Sequence, residues 1–244
     1  MSLKPAFIIE KYITEDKVKI ASIFFNKIKN VLKKRIGDEI ILLDGKGAIF
    51  TAILEKVDKE EIIARIIKMV VKRNNQISIT CAYSIPKGSR HDILVEKLTE
   101  IGINELLPVK FHNSIKYKFD SKTLKFKRIE RIIVSALTQS LNPVKPVLRQ
   151  MIEFQQLIDL SKNYKFKVFG SLKSNIFLNK VLEEKLGKVE SILYTIGPEG
   201  GFTDEETTIM VNNDFIPVKL TSTVLRIETA AILLGGIIVT TTLI

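Results

Sequence analysis

The chemistry of this chain concentrates toward its carboxyl end. Gly197-Pro198-Glu199-Gly200-Gly201-Phe202 follows Ile192–Ile196, an apolar run that reads as a strand. Thr203-Asp204-Glu205-Glu206 then opens a helix, with Thr203 and Glu206 at capping-box spacing. Glycines let a backbone approach a ligand closely. The carboxyl ends of parallel strands are where α/β sheets bind ligands. The loop lacks the marks of a phosphate cradle: no Gly-Lys-Ser/Thr follows, the spacing is not GxGxxG, and Glu199 would repel phosphate. Taken alone, it fits a ligand loop and a plain turn equally well.

A second constellation follows. Val218-Lys219-Leu220 leads into Thr221-Ser222-Thr223-Val224-Leu225-Arg226-Ile227-Glu228-Thr229-Ala230-Ala231, and Arg226 and Glu228 carry the only charges after Lys219. In so apolar a tail a charged pair is costly unless satisfied. Either the two serve a site or they form an ion pair that anchors the last helix. The two histidines, His91 and His112, and the single cysteine, Cys81, make no metal cluster, so no metal is expected. One cysteine excludes an intrachain disulfide and suits a reducing compartment. Cys81 lies in the alternating run Ile77, Ile79, Cys81, Tyr83 and reads as a buried strand residue.

The elements that position these residues alternate strand and helix. Ile77–Tyr83, Leu106–Val109, Phe166–Phe169, Ile192–Ile196 and Pro217–Leu220 read as strands. His91–Ile101 (ending at Gly102), Lys122–Leu141, Ile176–Leu186, Asp204–Asn212 and a last segment from Glu228 read as helices. This βα alternation predicts an α/β fold with a parallel sheet. The first third is β-rich. Ile40–Leu43 and Ile49–Leu54 flank a Gly-rich turn, Asp44–Gly47, and Ile62–Ile67 is a third strand. Ser22–Lys34 has helical spacing, with Ile23, Phe24, Ile28, Val31 and Leu32 on one side. The polar stretch ending at Gln76 suggests two domains, 1–72 and 73–244.

The 244 residues carry 38 Lys+Arg against 27 Asp+Glu, a net charge of +11. Thirty of the cations are lysines, a bias that a skewed genome can supply. The distribution says more: residues 110–149 alone carry +8, whereas 150–244 carry −2. Such a patch favours an anionic partner. The amino terminus has no long apolar stretch of a signal peptide. The uncharged segment Thr229–Ile244 is shorter than the roughly 20 residues that span a bilayer, so a buried helix is expected there.

IGPEGGFTDEE followed by LTSTVLRIETAA resembles the two carboxyl-terminal motifs of the ribosomal RNA small subunit methyltransferase E family, of the SPOUT class. Lys87-Gly88-Ser89-Arg90 followed by Lys97–Ile103 is similar to the family motif after its first catalytic-domain strand. Val31-Leu32-Lys33, Gly37-Asp38 and Asp44–Gly47 are similar to its amino-terminal PUA-like RNA-binding domain. The resemblance covers nearly the whole chain. It implies a SPOUT-type parallel sheet with a carboxyl-terminal trefoil knot, preceded by a small β-rich PUA-like domain.

The activity implied is S-adenosylmethionine-dependent methylation of N3 of a uridine in 16S ribosomal RNA, by a cytoplasmic homodimer acting on the small subunit. The attack of N3 on the sulfonium methyl is in line, and needs positioning and help with the N3 proton. By similarity, Phe169, Gly170, Ile196, Gly197, Pro198, Glu199, Gly200, Gly201, Leu220, Thr223, Val224 and Leu225 hold the cofactor. Arg226 acts as a cation on the uracil oxygens, and Glu228 orients it or accepts the proton. Lys33, Lys34, Arg35, Lys87, Arg90, Lys116 and Asn142 grip RNA. The chain departs from the family pattern at Asn113, Asn142 and Thr223, where the pattern has arginine, and at Thr221, where it has glycine. Three rivals remain at this point: a knotted methyltransferase with another RNA target or base atom, an RNA-binding homologue that has lost catalysis, and a membrane-surface protein.

Overall fold

The structure is a computed structural model that describes residues 5–72, 77–115, 124–178, 181 and 189–242. Two compact units divide the chain: Met1–Asn75 with Val134–Lys145, and Gln76–Ile133 with Pro146–Ile244. The first therefore takes in a segment well beyond residue 72.

In the first unit, β1 (Ala6–Tyr12), β2 (Lys17–Ile20), β3 (Glu39–Leu43), β4 (Ala48–Val57) and β5 (Ile62–Lys72) close into a barrel in the order β1-β2-β5-β4-β3. Closure leaves no unpaired edge for other chains to join. Alternate residues of β4 (Ala48, Phe50, Ala52 and Leu54) point into a core with Phe7, Val18, Ile20, Ile40 and Leu42. The expected hairpin is β3–β4, with Leu43 opposite Ile49. Its turn is held by Asp44 Oδ1, which accepts from the N–H groups of Lys46 (2.7 Å) and Ala48 (2.8 Å). Val134 packs on the barrel core, and Lys46 bridges to Val144, which explains why Val134–Lys145 belongs here.

Ser22–Lys34 differs from the regular helix its spacing predicts. A 3-10 turn at Ser22–Phe24 precedes a π-helical stretch, Lys27–Val31. The wider turn rotates side chains off the 3.6-residue stripe. Phe24 and Ile28 are buried as expected, but Ile23, Val31 and Leu32 face solvent.

In the second unit, β6 (Ser78–Tyr83), β7 (Glu105–Lys110), β8 (Val147–Leu148), β9 (Ile152–Glu153), β10 (Phe166–Gly170), β11 (Ser191–Ile196) and β12 (Ile216–Val218) form a parallel sheet. Its order is β12-β10-β11-β6-β7-β8, with β9 also on β7. The helices are α1 (Arg90–Ile101), α2 (Leu124–Ser140, of which Val134 onward belongs to the first unit), α3 (Phe154–Ser161), α4 (Asp204–Asn212) and α5 (Ile227–Thr242). The helix expected at Ile176–Leu186 falls mostly on 179–180 and 182–188, outside the described residues.

The central strands β6 and β11 are almost wholly buried, as helix cover on both faces requires. Cys81 is buried on β6, and burial pushes its thiol up to about 12. Helix α5 packs on α1, β6 and β11. Gly235 allows this, since a Cβ there would lie 2.5 Å from the Tyr194 hydroxyl. That hydroxyl donates to the Ala231 carbonyl at 3.3 Å. No helix among the described residues is long and apolar enough to cross a membrane.

The strand order reverses between β6 and β11. From β6 the chain builds outward through β7 and β8, then returns to β10 on the far side of β11. The loops that leave β10, β11 and β12 therefore emerge together at the carboxyl ends of the strands, beside this switch point.

Candidate active site

Those three loops enclose a cavity of about 380 Å³. One wall is Gly197–Phe202, leaving β11; the other is Leu220–Arg226, between β12 and α5; Gly170–Lys173, leaving β10, closes a third side. Of the twelve residues expected around a cofactor, eleven line it: Gly170, Ile196, Gly197, Pro198, Glu199, Gly200, Gly201, Leu220, Thr223, Val224 and Leu225. Phe169 does not. It is fully buried and meets Phe202 edge-on at 5.6 Å.

The glycines of the first wall answer to different needs. Gly201 has φ +73°, which side chains rarely adopt. Its N–H donates to the Pro198 carbonyl at 2.8 Å. Gly197 is set by packing, because a Cβ there would stand 2.8 Å from the Phe202 ring. The capping box forms: Thr203 Oγ1 accepts from the Glu206 N–H (3.0 Å), and Glu206 Oε2 from the Thr203 N–H (2.9 Å). Glu206 does more than its spacing announces. Its other oxygen, Oε1, accepts from the His112 N–H at 2.8 Å, tying the loop after β7 to the start of α4. Asn113, beside it, donates from Nδ2 to the carbonyls of Gly201 (3.0 Å) and Gly200 (3.4 Å). Neither contact has a sequence signal, because each joins residues nearly a hundred positions apart.

Arg226 is exposed and lines the cavity. Glu228 does not line it; it is buried, with 7% exposure, and its Oε2 has no hydrogen-bond partner. Among the described residues no ion pair joins Glu228 to Arg226. Arg90, expected on RNA, instead pairs through Nη2 with Glu199 Oε1 at 2.7 Å. Beside it, His91 faces the Tyr83 hydroxyl through Nε2 at 3.0 Å, and burial pushes its imidazole down to about 4.

Lys33, Arg35 and Lys87 are exposed, and Lys34 is half-buried. Asn142 is buried, with Oδ1 accepting from the Val144 N–H at 3.1 Å, so its side chain serves a turn. Lys116 lies outside the described residues. Three cations of the basic stretch are held by carboxylates from outside it: Lys110 by Glu153 (2.9 Å), Arg149 by Glu105 (3.1 Å) and Arg128 by Asp92. Among the described residues no group of three or more His, Cys, Asp or Glu is placed to hold a metal ion.

Residues 73–239 match the family model of the RNA methyltransferase domain, and residues 28–67 that of the RNA methyltransferase PUA domain. The chain is 29% identical over 210 residues to a Bacillus subtilis (strain 168) protein named ribosomal RNA small subunit methyltransferase E, covering 83% of this chain and 82% of that one. Its fold is similar to the crystal structure of a ribosomal RNA small subunit methyltransferase E from Neisseria gonorrhoeae bound to S-adenosyl methionine. The TM-score is 0.84 at 27% identity, over 99% of this chain and 98% of that one. A probable rRNA-methyltransferase from Porphyromonas gingivalis is also similar, with a TM-score of 0.82 at 27% identity over 98% of both chains.

Proposed function

The chain belongs to the RNA methyltransferase family, and on that premise we propose that it transfers a methyl group from S-adenosylmethionine to N3 of one uridine in the 16S RNA of the small ribosomal subunit. The observation that carries this reading is the cavity at the ends of β10, β11 and β12, whose walls are the residues expected around the cofactor. The names of the relatives support the RNA target. The motif resemblance supplies the uridine and its N3.

The residues present suit the cofactor. A cavity of about 380 Å³ lies within the roughly 300–1,000 Å³ of small-molecule sites. Ile196, Leu220, Val224 and Leu225 offer apolar surface to the faces of an adenine ring, and the Gly197–Gly201 backbone offers donors and acceptors to its edge. When bound, S-adenosylmethionine supplies an electrophilic methyl group on a sulfonium. Arg226, exposed on the cavity, serves as the cation that stabilises charge on the uracil oxygens as N3 loses its proton. Glu228 does not line the cavity, so we do not assign the proton to it.

Lys33, Arg35 and Lys87 grip RNA phosphates, giving salt-dependent affinity without sequence choice. We further propose that the first 72 residues and the remainder act as separate RNA-binding and catalytic domains. The chain is threaded as a trefoil knot near its carboxyl end and pairs as a homodimer in the cytoplasm. The knot is supported by the Lys219 N–H, which donates to the Ile176 carbonyl at 2.7 Å, and by the return of the chain from β12 to α5 over β6 and β11.

The test is primer extension across 16S RNA after unmodified small subunits are incubated with the protein and S-adenosylmethionine. N3 methylation blocks the Watson–Crick edge, so a cofactor-dependent stop is expected at a single uridine. The Arg226→Ala variant should weaken the stop about 100-fold or more, in the range of lost transition-state stabilisers, with cofactor binding kept. Absence of any stop by a protein that binds the cofactor would move the reaction to another RNA or base atom.

A further inference from the structure

Asn113 touches the glycine wall from outside the main cavity. Its Nδ2 donates to the Gly201 and Gly200 carbonyls. Gly200 makes room for this approach, since a Cβ there would lie 3.2 Å from Asn113 Cβ. The neighbouring His112 N–H is fixed by Glu206, so the loop after β7 meets the wall and the helix behind it at two adjacent points. Asn113 also lines a smaller cavity of about 210 Å³, which shares Pro198, Glu199, Gly200 and Ile227 with the larger one. It is not among the residues lining the larger cavity.

The two bonds have a geometric consequence. In a trans peptide the C=O and N–H point in opposite directions. A Gly200 carbonyl drawn toward Asn113 turns the Gly201 N–H the other way, and that group donates to the Pro198 carbonyl. A Gly201 carbonyl drawn toward Asn113 likewise turns the Phe202 N–H away from it. We propose that Asn113 is a positioning residue that sets the backbone of this wall, and through it the affinity for S-adenosylmethionine, without touching the cofactor. The inference rests on the cofactor site proposed above. It gives a role to a position where this chain departs from the family pattern.

The experiment is titration calorimetry of the full chain with S-adenosylhomocysteine, alongside turnover at saturating S-adenosylmethionine, for wild type, Asn113→Ala and Asn113→Asp. Asn113→Ala should raise Kd about three- to tenfold, the worth of one intramolecular hydrogen bond. Turnover at saturation should stay within about twofold, with at most a small fall in melting temperature, as for an exposed side chain.

Asn113→Asp should bind more weakly still at pH 7.5, because a carboxylate cannot donate and would face two carbonyl oxygens. Two facing carbonyl oxygens disfavour the ionised form and raise that carboxylate's pKa, so lowering the pH toward 5 begins to add a proton that can donate, and its Kd should move toward wild type while that of Asn113→Ala does not. Glu199 with its partner Arg90, Glu206, His112 and Lys87, charged or ionisable groups around this wall, are present in all three proteins, so wild type supplies the pH baseline. Equal Kd values for all three proteins would overturn the role of Asn113, as would a fall in turnover at unchanged Kd. Absence of binding by wild type would instead overturn the cofactor site, and the inference with it.

Discussion

The two main walls of the cavity are built in opposite ways. Gly197–Phe202 is braced by distant parts of the chain. Arg90 holds Glu199, Asn113 holds two carbonyls, and Phe202 sits edge-on to Phe111 (5.1 Å) and Phe169 (5.6 Å). Leu220–Arg226 is held mainly by itself. Thr221 Oγ1 donates to the Thr223 carbonyl at 2.8 Å, Ser222 and Thr223 face solvent, and Val224 is 78% exposed. Few buried contacts mean low local stability. The difference predicts separate tasks for the walls: a preformed template on the first side, and ordering against whatever the template holds on the second.

Acid should give the largest loss, and it acts on the brace. His91 is folded in with its pKa pushed to about 4, against 6.5 in the unfolded chain. Between those values the unfolded chain binds the extra proton, so its contribution is complete above pH 6.5 and is lost progressively down to about 4. At about 1.4 kcal/mol per unit the loss approaches roughly 3 kcal/mol. His91 neighbours Arg90 at the start of α1, so cofactor affinity should fall in step. Urea unfolding at pH 7 and pH 4.5 checks this, and the slope with pH should be shallower in His91→Gln. An equal slope would detach the brace from this histidine.

Gly197→Ala comes next. Its Cβ would meet the Phe202 ring at 2.8 Å, and that ring cannot retreat without disturbing Phe111 and Phe169. Overpacking of this kind costs about 1–3 kcal/mol. Both melting temperature and cofactor affinity should drop, because the template itself moves. Unchanged calorimetric affinity in a destabilised variant would show that the first wall is not a template.

How much of this was legible depended on sequence distance. The glycine loop, its strand, the Thr203–Glu206 box and Arg226 each declare themselves within a few residues; the structure brings the loop, the end of the strand and Arg226 to one cavity, and forms the box directly after the loop. The contacts of Asn113 with Gly200 and Gly201, and of Glu206 with His112, appear only once β7 and β11 lie in one sheet with β6 between them. The pairing of Arg90 with Glu199 was hidden too, because the two are over a hundred positions apart. The pairing of Lys110, Arg128 and Arg149 was equally hidden, since their carboxylates lie outside the basic stretch. Local spacing also misled at Ser22–Lys34, where a π-helical turn broke the expected apolar face. Strands β1 and β2 and helix α3 emerged only in the fold; α3 has an apolar face but is eight residues long, too short for its period to stand out.

The smallest stability change, and the sharpest contrast, belongs to Val224→Ala. At 78% exposure the side chain has little to lose on folding, so stability should change by under about 0.5 kcal/mol. Yet Val224 lines the cavity. If its wall orders against bound cofactor, the side chain becomes buried only then. Burying two methyl groups at about 0.8 kcal/mol each would make the loss of affinity roughly tenfold. The calorimetric signature is a less negative heat-capacity change on binding than in wild type, with the melting temperature of the free protein unmoved. If instead affinity and heat capacity match wild type, Val224 stays in solvent when the cofactor binds, and the second wall is as fixed as the first.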